Sequence, residues 1–215
     1  MDKGYLLILI GAILSATIVL PFPLPDELLN FWHRASLWGY ALISMGIRYI
    51  YTSQKELHNA RLFTYAALIV SLGLSWLPNL ISLNAQVMFL LMGLHMFFSL
   101  GLFFWLFKAE YMWSPHANKR IDWMLYSAIA LVHLVMFLIP AVAAAFGTQN
   151  FNLLSTWFFI VTNIYSSVSV SVSATTTMAN AFVFINLLYN IILYYVLVKL
   201  YLDARRNAPG VNRWN

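Results

Sequence analysis

The sequence predicts an all-α fold, a polytopic helical membrane bundle of six to seven transmembrane helices, and three observations carry this prediction. The 215 residues are 62% hydrophobic and only 9% charged, whereas soluble domains carry about 25% charged residues. Apolar stretches near the roughly 20 residues that cross a bilayer recur along the chain. Tyrosine and tryptophan gather near the ends of these stretches, as they do at membrane interfaces.

Five apolar segments each satisfy the requirements of a spanning helix. Transmembrane β-strands would show alternating segments of about ten residues, and these segments are longer and continuously apolar. The first lacks an A-x-A cleavage pattern, so we interpret it as a retained span and not as a signal peptide. The five segments are Tyr5–Leu20, Leu29–Tyr51, Leu62–Leu83, Val87–Phe107 and Ile121–Phe146.

The last apolar stretch, Phe151–Leu202, holds either two further spans or one span and an irregular segment. Its first part, Phe151–Ser173, contains Asn163 and a strict Ser/Val alternation over residues 167–173. Such alternation is typical of a strand, and a lone strand cannot face lipid with its backbone unpaired. Two interpretations stay open for this part: a re-entrant or cavity-lining segment, or an ordinary span.

The connectors differ in charge, and this difference predicts the orientation. Lysine and arginine lie in the connectors after the second and fourth segments, whereas the third and fifth connectors carry no charge. The positive-inside rule therefore places the N-terminus in the cytosol. The basic residues of the C-terminal end place it there too if the spans number six. Charge thus favours six spans, while hydropathy favours seven.

We predict one transmembrane domain over residues 1–203 and a short basic cytosolic tail over residues 204–215. The absence of cysteine excludes disulfides, iron–sulfur clusters and thiolate metal sites. The net charge of +5 suits anionic lipid headgroups, and no basic stripe indicates a nucleic-acid partner. The expected location is a prokaryotic cytoplasmic membrane, where the partners are lipid and either other membrane subunits or further copies of the chain.

The acidic residues argue against several functional classes. Ion-coupled carriers commonly use an intramembrane carboxylate, and paired carboxylates perform acid–base catalysis. No phosphate-binding loop, zinc-protease motif, nucleophile elbow or dinucleotide fingerprint occurs either. We therefore predict no catalytic residue and no metal site. The sequence favours a protein that is not an enzyme. All seven acids lie at segment ends or in connectors: Asp2, Asp26, Glu27, Glu56, Glu110, Asp122 and Asp203.

His95 and His133 lie near the middle of two consecutive, oppositely running segments. A titratable side chain at this depth is costly, so it usually has a partner or a role. At 1.5 Å per residue, both lie roughly 16–20 Å above the cytosolic ends of their helices. Three interpretations stay open: hydrogen bonds that hold helices together, a polar cavity or permeation path, and axial ligation of a haem b. The first interpretation, hydrogen bonding between helices, is favoured over the other two.

Asn186 and Asn190 are spaced i, i+4 on the last segment and therefore share a helix face. With Asn163 they form a candidate polar seam, although hydrogen bonding between helices explains them more simply. Together with the two histidines, these asparagines are the candidate site residues of the sequence.

Three functions follow from these features. We expect most strongly a membrane-embedded subunit of a larger complex that acts through helix–helix assembly. The first alternative is a small-solute channel or transporter with a polar path through His95, His133, Asn163, Asn186 and Asn190. The second alternative is a b-type cytochrome with His95 and His133 as haem ligands.

Overall fold

The computed structural model describes residues 2–15, 26–50, 54–80, 85–113, 117–145 and 176–206. This part of the chain contains six α-helices and no strand, so the predicted all-α class is confirmed for the described residues. The interpretations of Asn163, of Phe151–Ser173 and of most of the tail fall outside these residues. The helices are α1 (Asp2–Ser15), α2 (Asp26–Ile50), α3 (Lys55–Leu80), α4 (Ala85–Trp113), α5 (Ala117–Ala145) and α6 (Thr176–Arg206).

The helices extend beyond the apolar segments into charged turns at one end of the bundle. Helix α3 begins at Lys55, before the predicted Leu62, and α4 ends at Trp113, after the predicted Phe107. Acids in the first turns of α1 and α3 and arginines in the last turn of α6 complement the helix dipole. Hydropathy finds only the apolar middle of such a helix, because its charged end turns are excluded from an apolar window.

The six helices form a closed ring. Each helix packs against the next one along the chain, and α6 returns to pack against α1. Two hydrogen bonds also cross the ring, since Tyr40 on α2 reaches His95 on α4 and Tyr5 on α1 reaches Glu110 on α4. The centre is therefore filled by side chains, and α4 is the helix on which these cross-links meet.

Successive helices are antiparallel. Contacts between α5 and α6 run in opposite chain directions, because Asp122 pairs with Lys199 while the later His133 pairs with the earlier Asn186. The ends of α2, α4 and α6 consequently lie beside the starts of α1, α3 and α5. We call this end of the ring the charged end, and the opposite one the far end.

Helices α1 and α2 approach more closely than ordinary side chains allow. A Cβ atom added at Gly11 would lie 2.5 Å from the carbonyl oxygen of Gly39, and one added at Gly39 would lie 2.6 Å from the oxygen of Gly11. Gly4 and Gly46 make the same kind of contact one heptad away. Small residues at matching spacing thus bring two backbones together, as in packed membrane helices.

All six helices expose large apolar side chains on their outer faces. Each of the following examples is between 45 and 70% exposed: Ile13, Trp38, Ile69, Leu90, Leu131 and Phe184. By length and composition, two helices qualify as able to cross a membrane: the stretches Leu90–Trp113 of α4 and Phe184–Arg206 of α6. The other four helices do not meet this criterion over the residues that the structure describes.

Candidate functional site

The interior of the ring contains a set of buried polar side chains, which we call the polar core. Its members come from α2, α4, α5 and α6, and each is at most 9% exposed. Buried polar groups of this kind need hydrogen-bond partners, since an unsatisfied one costs stability. The members of the polar core are Tyr40, His95, Tyr126, His133, Asn186, Tyr189 and Asn190.

His95 is held by Tyr40 across the ring. The Tyr40 hydroxyl lies 3.0 Å from His95 Nε2, and the two rings meet edge to face with centroids 5.6 Å apart. His95 is 5% exposed and Tyr40 is fully buried. Because imidazole and phenol can each donate or accept, this contact can reverse its direction without breaking.

His133 belongs to a second cluster, between α5 and α6. The Asn186 amide nitrogen lies 3.3 Å from His133 Nε2. Asn190 donates to the Asn186 backbone oxygen at 2.8 Å and to its side-chain oxygen at 3.2 Å, and the Tyr189 ring packs 4.9 Å from the imidazole. One turn of α6 therefore places two side chains, Asn186 and Tyr189, against the histidine, and Asn190 holds Asn186.

Two tyrosines connect these clusters to the rest of the core. The Tyr126 hydroxyl donates to the backbone oxygen of Leu100 at 3.0 Å and lies 3.3 Å from the Tyr189 hydroxyl. Tyr189 in turn contacts His133. The Tyr40 phenol is close enough to interact electrostatically with the phenols of Tyr126 and Tyr189. The polar core is therefore a chain of neighbouring groups that extends across the ring.

The charged end has its own buried contacts. Glu110, 5% exposed, accepts a hydrogen bond from the Tyr5 hydroxyl and pairs with Lys119 at 3.2 Å. Asp122 pairs with Lys199 at 2.5 Å. These pairs join the ends of α1, α4, α5 and α6, and they explain why acids placed at helix ends by the sequence are nevertheless buried.

The predicted site residues are partly brought together. His133, Asn186 and Asn190 form one cluster, while His95 hydrogen-bonds to a different helix. Bis-histidine ligation requires one nitrogen of each imidazole to face the same iron. Here the Nε2 atoms of His95 and His133 are engaged by Tyr40 and Asn186, so a haem between them would have to displace both contacts.

The sequence pattern does not single out the three tyrosines of the core. Tyrosine is expected at membrane interfaces, but Tyr40, Tyr126 and Tyr189 are buried in the interior. A usable signal existed for Tyr189, because it follows Asn186 by three residues and therefore shares its helix face. Tyr40 and Tyr126 carried no such local signal, since their partners lie on other helices.

Within the described ranges, no group of three or more His, Asp or Glu side chains is arranged to hold a metal ion. The polar core instead offers neutral donors and acceptors, which suit hydrogen bonding to a small polar molecule. Comparison with known proteins does not narrow this chemistry, since no family model, no curated protein and no solved structure matches the chain.

A double-mutant cycle on the cross-ring contact measures how strongly it couples the helices. We expect Y40F and H95F each to lower the free energy of unfolding, and the double variant to lose less than the sum. The expected coupling is about 0.6 kcal/mol, the average for such bonds in membranes, with an upper bound near 2 kcal/mol. Denaturation of the four purified proteins in mixed micelles gives the value. Strict additivity would show that the 3.0 Å contact contributes nothing measurable.

Proposed function

We propose that the chain is an integral membrane protein of six crossing helices that conducts or carries a small polar solute through its polar core. The observation that carries this proposal is the combination of an apolar outer surface with hydrogen-bonding side chains inside. Large apolar side chains cover the outside, and the members of the polar core lie among the buried apolar residues of the interior. Soluble monomers rarely expose such extensive apolar surface, and a bilayer is the solvent that such a surface fits.

The antiparallel order of the helices supports an even number of crossings. Helix α5 ends and α6 begins at the far end of the ring. The chain consequently leaves α5 and enters α6 on the same side. The start of α1 and the end of α6 then both lie at the charged end, in agreement with the positive-inside rule. This arrangement favours six spans over seven.

Single-cysteine labelling tests this topology cleanly, because the chain contains no native cysteine. We expect Asn118→Cys, at the charged end, to react with a membrane-impermeant maleimide only after permeabilisation. Val87→Cys, at the far end, should react in intact cells. Cysteines at Gln149 and Ala174, which lie between α5 and α6 in the sequence, should both behave like Val87→Cys. Opposite behaviour of these two positions would establish a seventh crossing.

The contacts of the polar core support conduction over simple helix packing. Hydrogen bonds between helices need only pairs of partners, but here Tyr126, Tyr189 and His133 follow one another. The hydrogen-bonded pair of Tyr40 and His95 lies near enough for Tyr40 to interact electrostatically with both other tyrosines. Adjacent groups that both donate and accept can pass a small polar molecule from one to the next. The fully buried Tyr40 and Tyr126 close the path in this conformation.

Flux into proteoliposomes tests the conduction directly. Stopped-flow light scattering should show faster entry of at least one of water, glycerol, urea or ammonia than in protein-free vesicles. We expect Y126F to change that rate by about twofold to tenfold, because one net hydrogen bond is worth about 0.5–1.5 kcal/mol. The matched control is Y49F, since Tyr49 is 63% exposed on α2. Equal rates in loaded and empty vesicles for all four solutes would count against conduction.

The complex-subunit function expected from the sequence remains the second candidate. The broad exposed apolar faces of the helices suit partner helices as well as lipid. Purification in mild detergent separates the two: a fixed stoichiometric partner with no flux favours the subunit, whereas a lone chain with flux favours the channel or carrier. The b-type cytochrome stays a prediction, and the visible spectrum of the same preparation tests it.

A further inference from the structure

Helix α6 carries a surface groove at the charged end, of about 500 Å³, that the polar core does not use. Its apolar wall continues an exposed stripe along the helix, with side chains at spacings of three and four residues. The stripe comprises Phe184, Leu187, Ile191, Tyr195, Val198 and Leu202, each 40–63% exposed. From first to last residue it is about 27 Å long at 1.5 Å per residue, close to the thickness of a bilayer hydrocarbon core.

The charged residues of the groove all lie at one end of it. One face of the helix carries Lys199, Asp203 and Arg206, at spacings of four and three residues. Lys199 is already compensated, because its amine pairs with Asp122 at 2.5 Å and lies over the Tyr195 ring. Asp203 interacts with Lys199 electrostatically, but neither Asp203 nor Arg206 forms a salt bridge within the described residues.

We propose that this groove binds phosphatidylethanolamine, with an acyl chain along the apolar stripe and the headgroup between Asp203 and Arg206. The proposal rests on the membrane location proposed above. Arginine binds phosphate through two parallel hydrogen bonds. A primary ammonium donates up to three hydrogen bonds to a carboxylate. Side chains three residues apart on a helix lie about 5–6 Å apart, which suits the phosphate and ammonium of one headgroup.

Charge complementarity selects this lipid over its common alternatives. A choline headgroup has a phosphate for Arg206 but no N–H to donate to Asp203. A glycerol headgroup adds net negative charge beside Asp203 without a matching cation. The groove itself carries one compensated lysine, one acid and one arginine, so a zwitterionic ligand leaves no charge unpaired.

Native mass spectrometry of the full-length protein tests the proposal. The protein is incubated with phosphatidylethanolamine, phosphatidylcholine or phosphatidylglycerol of identical acyl chains, and the retained lipid is counted. We expect a several-fold preference for phosphatidylethanolamine over the other two. D203N should abolish the preference over phosphatidylcholine, and R206Q should lower retention of phosphatidylethanolamine several-fold. R120Q is the matched control, because Arg120 is an exposed arginine near the same end of the bundle, on α5.

Equal retention of the three lipids, tighter binding of phosphatidylglycerol, or unchanged retention in both groove variants would overturn the site and indicate adventitious lipid only. These outcomes are distinct from failure of the proposed function. Release of the chain from membranes by an alkaline wash would contradict the membrane location, and absence of flux would contradict conduction alone. The measurement of lipid selectivity depends neither on flux nor on Tyr126.

Discussion

Alanine at Gly11 is expected to destabilise the bundle by about 1–3 kcal/mol, the usual cost of overpacking a closely packed site. The new Cβ would lie 2.5 Å from the Gly39 carbonyl oxygen and 2.7 Å from the Ile43 side chain. A backbone oxygen cannot rotate away, so α1 and α2 must separate along much of their length. Tryptophan fluorescence during thermal denaturation in detergent should therefore show a lower melting temperature for G11A.

Two controls isolate the backbone contact at Gly11. Ile10, the neighbouring residue, is 39% exposed, so I10A should change stability little. At Gly101 the added Cβ meets the Phe63 ring, a side chain that can turn aside, so G101A should cost less than G11A. The double variant G11A/G39A should be less destabilised than the two single changes summed, because one separation of α1 and α2 accommodates both added Cβ atoms. Equal melting temperatures for G11A and I10A would contradict this account.

Removal of one partner of the Asp122–Lys199 pair should have a comparable effect. The Asp122 side chain is only 10% exposed, so K199M leaves a largely buried carboxylate uncompensated. Such losses cost about 3–5 kcal/mol when both charges are buried. The Lys199 side chain is 29% exposed, which places the expected loss at or below the lower end of that range. Unfolding free energy in mixed micelles is the measurement.

The double variant D122N/K199M distinguishes a charge effect from lost packing. It removes both charges and should recover much of the stability that K199M loses. The exchange D122K/K199D keeps the pair with reversed direction and should recover stability as well. If both double variants are as unstable as K199M, the lysine stem contributes through packing, and the ion pair is not the cause.

The sequence predicts the helical elements well because each depends on local composition. A continuous apolar run with charged ends forms a helix wherever it packs, and α2 to α5 match their predicted segments closely at the apolar centre. The i, i+4 spacing of Asn186 and Asn190 similarly fixes their shared face. Their hydrogen bonds in the structure confirm that placement.

The partners of the buried side chains were not predictable in the same way. His95 and His133 lie at matching depths in the sequence, which suggested a shared site, but each pairs with a different helix. Depth follows from counting residues along a helix. The direction in which a side chain points relative to another helix depends on how the two helices are rotated and packed, which no single segment encodes.

The sequence by itself determined that the described part of this protein is all-helical, that its long apolar segments suit a membrane, and that its few mid-segment polar residues are the ones to examine. The tertiary structure decided that the helices close into a ring, that Tyr40, Tyr126 and Tyr189 join the histidines and asparagines in its centre, and that Glu110 and Asp122 are buried at its charged end. The division has a physical reason. Helix formation and hydrophobicity are summed over neighbours in the chain, whereas burial and hydrogen bonding of a polar group depend on residues far away in sequence that only packing brings near.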